Sequence, residues 1–177
     1  MDQVHYSSAT VEHSTPPDFY DDLALEFNFT LDVAANAINR KCLRYYDKEQ
    51  NAIAQDWLKD ARGGDAWDNP PYGDPEHPCK KKCTKKKCVE RGHHVDHYIP
   101  GIGDFVKKAW QESRRGLTVV NLLPARTDTA WWHAYIWDEL TNNWRPNVEA
   151  RFIKGRLTYG NAKHCAPFPN VVIIFRG

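Results

Sequence analysis

DAWDNPPYG, residues 65–73, begins as an apolar strand and ends in two prolines. Proline gives a sheet ladder no donor, and each ring locks its own φ. The residue before a proline is pushed toward extended backbone. The stretch therefore reads as a strand with a stiff, exposed end. There Asn69 presents a side-chain amide, Pro70 a carbonyl with no N–H beside it, and Tyr72 an aromatic face. Pro-Pro beside Tyr and Gly is also ordinary loop composition, and composition alone favours that plainer reading.

The flanking segments decide between the two. Upstream, STPPDFYDDLALEF (14–27) reads as a helix, with Thr15 as cap, prolines in the first turn, and Phe19, Leu23 and Phe27 at helical spacing. FTLDVAAN (29–36) reads as a short strand ending in Asp32, and AIAQDWLKDA (52–61) as a helix before Gly63-Gly64. Downstream, residues 74–103 lack apolar periodicity and read as an insertion. GDFVKKAWQESRRG (103–116) is an amphipathic helix, LTVVNLLPAR (117–126) a buried strand, and DTAWWHAYIWDEL (128–140) a helix. EARFIKGRLTYG (149–160) and NVVIIFRG (170–177) read as two strands paired antiparallel. Helices alternating with strands, closed by two strands, predict an α/β fold: a mixed sheet flanked by helices, with the insertion standing out from it. In such sheets ligands bind beyond the strand carboxyl ends, where Asp32, the proline pair and LLPAR (122–126) would converge.

With 177 residues and 41% apolar content, the chain reads as one domain over 1–177, with 74–103 inserted in it. No apolar run is long enough for a bilayer, so no membrane partner is expected. The first residues, MDQVHYSSATVEHS, lack the layout of a signal peptide. Five cysteines, three of them clustered, point to a reducing compartment and a metal rather than disulfides, hence a cytoplasmic protein.

A net charge of +1 conceals a strong asymmetry. Residues 79–91, CKKKCTKKKCVER, carry net +6, and the remainder carries −5. The same segment spaces Cys79-x3-Cys83-x4-Cys88-x4-His93, followed by His94 and His97. Three thiolates and one imidazole form a closed tetrahedral site, so a structural Zn2+ is expected on Cys79, Cys83, Cys88 and His94, with His93 and His97 as alternatives to His94. A loop of this length with so little apolar content needs another source of order. Cys42 and Cys165 read as plain thiols. The lysines read either as solvated surface or as phosphate contacts: Lys80, Lys81, Lys82, Lys85, Lys86, Lys87 and Arg91 beside the strand end, with Lys154 and Arg156 at a second edge.

DNPPYG (68–73) resembles the catalytic motif of amino-group DNA methyltransferases, and the likeness extends along the chain. TPPDFYDDLALEFNFTLDVAAN (15–36), DNPPYG, LLPARTDTAWWH (122–133) and FIKGRLTY (152–159) follow in order the pattern of phage-type DNA adenine-N6 methyltransferases, the phage Dam family. The resemblance implies an S-adenosylmethionine-dependent methyltransferase-like fold, S-adenosylmethionine as cofactor, double-stranded DNA as partner, a bacterial host cell as location, and GATC as a recognition site. It implies that Asn69, Pro70, Pro71 and Tyr72 form the catalytic loop. It also implies that Thr15, Pro16, Asp32 and Ala34 lie at the cofactor, with Asp47 and Asp56 as further cofactor contacts or else caps and surface acids.

The residues suit that chemistry. An adenine amine is a poor nucleophile because its lone pair is delocalised into the ring; two acceptors on its hydrogens, the Asn69 oxygen and the Pro70 carbonyl, would localise it. Tyr72 would give an extruded base a surface to stack on. The chain departs from the glycine-rich turn that many methyltransferases place after the first strand: Val33, Ala34, Ala35 and Asn36 follow Asp32, so the turn must avoid positive φ. Action on RNA or a protein glutamine, or a non-catalytic zinc-dependent nucleic-acid-binding module, are the alternative readings.

Overall fold

A computed structural model describes residues 14–80, 83–160 and 164–177. The N-terminal residues considered for a signal peptide lie almost wholly outside that range, as do Lys81 and Lys82. The elements run α1 (Pro17–Ala24), β1 (Phe29–Asp32), β2 (Arg44–Tyr45), a 3-10 turn (Ala52–Ala54), α2 (Trp57–Ala61), β3 (Asp65–Asp68), α3 (Lys86–Arg91), α4 (Ile102–Ser113), β4 (Val119–Pro124), α5 (Ala130–Tyr135), β5 (Trp137–Asp138), β6 (Asn143–Trp144), β7 (Val148–Phe152) and β8 (Asn170–Phe175).

Six strands form one sheet in the order β2-β1-β3-β4-β8-β7. The first four are mutually parallel, whereas β8 runs antiparallel to both β4 and β7. The chain leaves β1 toward β2 on one side and returns to β3 on the other, so the strand order reverses between β1 and β3. Crevices beyond the carboxyl ends at such a reversal are where open α/β sheets bind ligands. Asp32 and Asp68 are the last residues of those two strands.

Packing explains why these strands are central. Every residue of β4 and β8 is buried, in keeping with their near-continuous apolar sequences VVNLLP and NVVIIF. On one face Tyr20 of α1 stacks on Phe29 at 5.3 Å and meets Trp67 edge-on at 5.4 Å. Elsewhere α2 and α4 meet through Trp57 and Phe105, 6.5 Å apart. Among the described residues no helix is long and apolar enough to cross a membrane.

Local structure departs from the sequence expectations at several places; the segment 52–61, read as one helix, is a 3-10 turn and a short helix separated at Gln55, which is extended. The N-cap of α1 is Pro16, not Thr15; the Thr15 hydroxyl is used elsewhere. The helix expected over 128–140 stops at Tyr135, because Trp137 turns to pair with Trp144 in the two-strand ladder β5-β6, ring centroids 5.0 Å apart. FIKGRLTY leaves the sheet after Phe152, before Gly155 takes a φ of +85°, so Lys154 and Arg156 lie on an exposed loop rather than a strand. The strand β2 was not anticipated, being only two residues long.

The insertion has a stem. Glu76 and Ile99 form an antiparallel bridge, and the Cys79 N–H donates to the Val95 carbonyl at 2.7 Å. Its two ends meet where the Ile102 N–H donates to the Gly73 carbonyl at 3.0 Å. Gly101 is required there: a Cβ would collide with Pro75 and the Gly73 carbonyl.

Candidate active site

The carboxyl ends of β1 and β3 carry the predicted motif residues. Asn69 follows β3 directly, half-buried, with Pro70 buried and Pro71 exposed. Its Nδ2 donates to Thr15 Oγ1 at 3.0 Å, which brings the TP block of the N-terminal segment against the proline turn. Its Oδ1 accepts from the Tyr72 hydroxyl at 2.8 Å. The Tyr72 carbonyl accepts from the Arg126 guanidinium at 3.0 Å, so the segment after β4 braces the far side of the turn. Arg126 belongs to the LLPAR segment expected on this rim, but its role as a brace is visible only in the fold.

Tyr72 departs from the expectation of an open stacking face. Only 7% of it is exposed. Its ring stands edge-on to Phe168 and Tyr159, with centroids 5.5 and 6.3 Å away. Its hydroxyl lies 2.9 Å from the Tyr159 hydroxyl and 3.1 Å from the Leu122 carbonyl, and these partners draw the ring inward. Burial, followed by Tyr159, pushes the Tyr72 phenol well above its ordinary range. Tyr159 in turn accepts from Asn170 Nδ2 at 2.7 Å. Tyr159 closes the FIKGRLTY block and Asn170 opens β8, where no local pattern in the sequence singles it out.

On β1, Asp32 is buried and turns its carboxylate onto its own loop. Oδ1 accepts from the Ala34 N–H at 3.3 Å and Oδ2 from the Lys41 N–H at 2.8 Å. Burial raises its pKa to about 6 against the pull of those donors. Asparagines close the rest of the turn: Asn36 Oδ1 accepts from Ile38 and Asn39, and Asn39 Oδ1 from Asn36. No residue between Val33 and Lys41 takes a positive φ, which is how the chain dispenses with glycine here. Asp68 beside Asn69 is fully buried, and neither carboxyl oxygen has a partner among the described residues. Burial, then the nearby Asp32, pushes it well above the usual carboxylate range.

The other cofactor candidates separate. Asp47 follows β2 at the same strand-end rim and accepts from the Glu49 and Gln50 N–H groups, both at 3.0 Å. Asp56 takes the helix-cap alternative rather than the cofactor one. It caps α2 through the Lys59 N–H and pairs with Arg115 at 2.9 Å, the residue leading into the amino end of β4, away from the rim. Pro16 and Ala34 lie half-buried beside Thr15 and Asp32 in the chain. Thr15, bonded to Asn69, and Asp47 thus stand with the proline turn at the strand-end rim, whereas the Asp32 carboxylate is taken up by its own loop.

The insertion gathers Cys79, Cys83, Cys88 and His94, with one ligand atom from each lying within 4.8 Å of all the others. Sγ of Cys88 lies 3.3 Å from that of Cys79 and 3.7 Å from that of Cys83. A tetrahedron with metal–sulfur bonds of about 2.3 Å has edges of about 3.8 Å, so the donor set fits Zn2+. The hydrogen bond with Cys88 lowers the Cys79 thiol to about 7, and the same contact raises Cys88 to about 11. His97 instead lies against Asp96, 2.7 Å from its carboxylate. Lys80 and Lys85 are exposed. The other described basic groups of 79–91 are partly engaged by acids of the insertion: Arg91 with Glu76 at 2.8 Å, Lys87 with Glu76 at 3.6 Å and Lys86 with Glu90 at 3.6 Å. The +6 counted from sequence is therefore damped at Arg91, which holds the stem.

The chain belongs to the Dam family of DNA N-6-adenine-methyltransferases, whose family model matches residues 7–176. It is 29% identical over 140 residues to the DNA N-6-adenine-methyltransferase of Escherichia phage T1, covering 74% of this chain and 45% of the phage protein. It is 45% identical over 47 residues to YfdM of Escherichia coli K12, covering 25% of this chain and 50% of that protein. The chain thus spans about half the length of these relatives. No solved structure matches it.

Proposed function

We propose that the chain transfers a methyl group from S-adenosylmethionine to the N6 amine of adenine in double-stranded DNA. Family membership supports the reaction class. The observation that carries the assignment of residues is the Asn69 amide, pinned between Thr15 and Tyr72 at the carboxyl end of β3, beside the strand-order reversal. Asn69 Oδ1 and the Pro70 carbonyl accept the two amine hydrogens and draw nitrogen toward tetrahedral geometry, so its lone pair points at the incoming methyl. S-adenosylmethionine, when bound, supplies that methyl on a positively charged sulfur. Thr15, Pro16, Asp32, Ala34 and Asp47 line its side of the crevice; Asp32 acts by holding the 33–41 loop in shape. The amine sheds its proton to solvent, so no strongly basic side chain is needed. The turn supplies orientation, which is the larger part of such catalysis.

The insertion would bind one structural zinc through Cys79, Cys83, Cys88 and His94. That metal would fix Lys80 and Lys85, and with them Lys86 and Lys87, beside the rim as phosphate contacts. Lys154 and Arg156 on their exposed loop would add contacts from the other side of the turn. The test is incubation with methyl-labelled S-adenosylmethionine and, separately, duplex DNA, RNA and protein, followed by digestion. Label recovered as N6-methyladenine from duplex DNA is expected. Label in RNA or glutamine, or in nothing, overturns the reading.

A further inference from the structure

Just before the proline turn, three buried oxygens lie on neighbouring strands with no donor among the described residues. Asp68, the last residue of β3, is fully buried, and neither of its carboxyl oxygens has a partner there. Its register partner on the parallel strand β4 is Asn121, equally buried, so the two side chains leave the same face of the sheet side by side. The polarity of the Asn121 amide is fixed by groups that only accept. Its Nδ2 donates to the Ile173 carbonyl at 3.0 Å and to the Val119 carbonyl at 3.2 Å. Both amide hydrogens are thereby used, and Oδ1 is the end without a partner. An acceptor set beside two more in a buried interior is costly unless one of them carries a proton. An amide oxygen does not take one up, whereas a carboxylate does.

We infer that Asp68 is a positioning residue of the methyl-transfer site: as a neutral carboxylic acid it donates its hydroxyl hydrogen to Asn121 Oδ1 and ties the end of β3 to β4 one residue before Asn69. The functional part rests on the proposed methyltransferase reading. Asp68 and Asn121 are the last pair of the β3–β4 ladder, so the side-chain bond reinforces the sheet where Asn69 leaves it. Burial disfavours the ionised form of Asp68, and Asp32 at the end of β1 disfavours a second negative charge. Tyr72 is the other titratable group coupled to Asp68, and its phenol is neutral. No cation among the described residues acts on Asp68 to favour an ionised form. One carboxyl oxygen stays unpaired, which is the cost of the arrangement.

The proton can be observed in the parent protein. With 13C in the aspartate side chains, the Asp68 carboxyl carbon should keep its protonated position from about pH 5 to about pH 7, while that of Asp32 moves through its own titration at about 6. An Asp68 carbon at the ionised position at pH 7 overturns the inference. Stability gives a second route. A carboxyl that holds its proton more tightly in the folded state contributes stability that is full below the ordinary carboxylate range and is lost as pH rises. In Asp68→Asn the amide donates to Asn121 without titrating. Relative to that variant, the parent's folding equilibrium constant should fall about tenfold per pH unit between about pH 5 and about pH 7, and a constant ratio refutes the proton. Positioning is read in kcat. Asp68→Leu fills the site without a donor and should lower kcat about tenfold, with KM for DNA and cofactor little changed; Asp68→Asn should restore most of the loss. Equal rates in the two variants would refute the positioning role. Should the variants fail to fold, the parent decides: kcat should fall at the pH where the Asp68 carbon ionises, and a kcat indifferent to that transition refutes the role. A parent that methylates nothing but shows the protonated carbon would refute the methyltransferase reading and leave the bond standing. An active parent with an ionised Asp68 would do the reverse.

Discussion

Asn69–Tyr72 and the insertion adjoin in sequence and are held in shape by different means. The turn draws its geometry from the sheet: β3 delivers it, Thr15 and Tyr72 grip the amide, and Arg126 braces the carbonyl. The insertion has a two-point stem, one short helix and few buried side chains, chiefly Cys88 and Val95. Its remaining order converges on four metal-type ligands. The turn's shape is a consequence of global stability, whereas the insertion's would depend on the proposed zinc. The two should therefore fail independently.

The sharpest break is Asn69→Ala. It removes one acceptor from the target amine and should lower methyl transfer by about a hundredfold or more, with zinc content and DNA affinity close to the parent. A rate within a few-fold of the parent would remove Asn69 from the mechanism. Next comes the buried carboxylate of β1. Because Asp32 titrates near pH 6 in the folded protein rather than at its ordinary 3.8, the folded state holds its proton more tightly between those values. Its contribution to stability is thus full below about pH 4 and is lost as pH rises through about 6. Compared with Asp32→Asn, the parent should lose about 3 kcal/mol of unfolding free energy between pH 4 and pH 7. Denaturant melts at several pH values check this, and parallel curves would count against it.

The insertion predictions are smaller and should leave the sheet untouched. Elemental analysis should find one zinc per chain, and Cys83→Ser should lose it. DNA binding should then weaken about tenfold and become less salt-dependent, while the main melting transition stays within a few degrees of the parent. A large drop in that transition would mean the insertion supports the sheet after all. The smallest expected effect separates exposed lysines from paired ones. Lys85→Ala should lower the salt slope of DNA binding by about one. Arg91→Ala, which breaks the Glu76 pair, should act on the stability of the stem instead.

What the sequence made legible follows the same division. The strands β1, β3 and β4, the proline turn and the Cys/His spacing are local patterns, and each is found where the pattern placed it. The set around Asn69 is not local. Thr15 reads as a helix cap, and only the fold turns its hydroxyl toward a residue 54 positions away. Asn170 carries no motif, and Tyr159, which closes the FIKGRLTY block, meets it and Tyr72 only where β8 crosses the loop after β7. Asp56, which the sequence leaves open between a cofactor contact and a helix cap, is used by a helix N-terminus and by Arg115, whose position no spacing rule reveals. The 128–140 helix ended early because Trp137 found Trp144, a partner seven residues on.

The meeting of Gly73 and Ile102, with Gly101 pressed against Pro75, makes the insertion a cartridge clipped into a socket. Chain enters and leaves through one hydrogen-bonded neck, so residues between can be exchanged without moving the β3 turn on one side or α4 on the other. The residues of the insertion can therefore vary while the proline turn stays constant. A graft of a different loop of any length, closed at the same two glycines, would inherit a working socket.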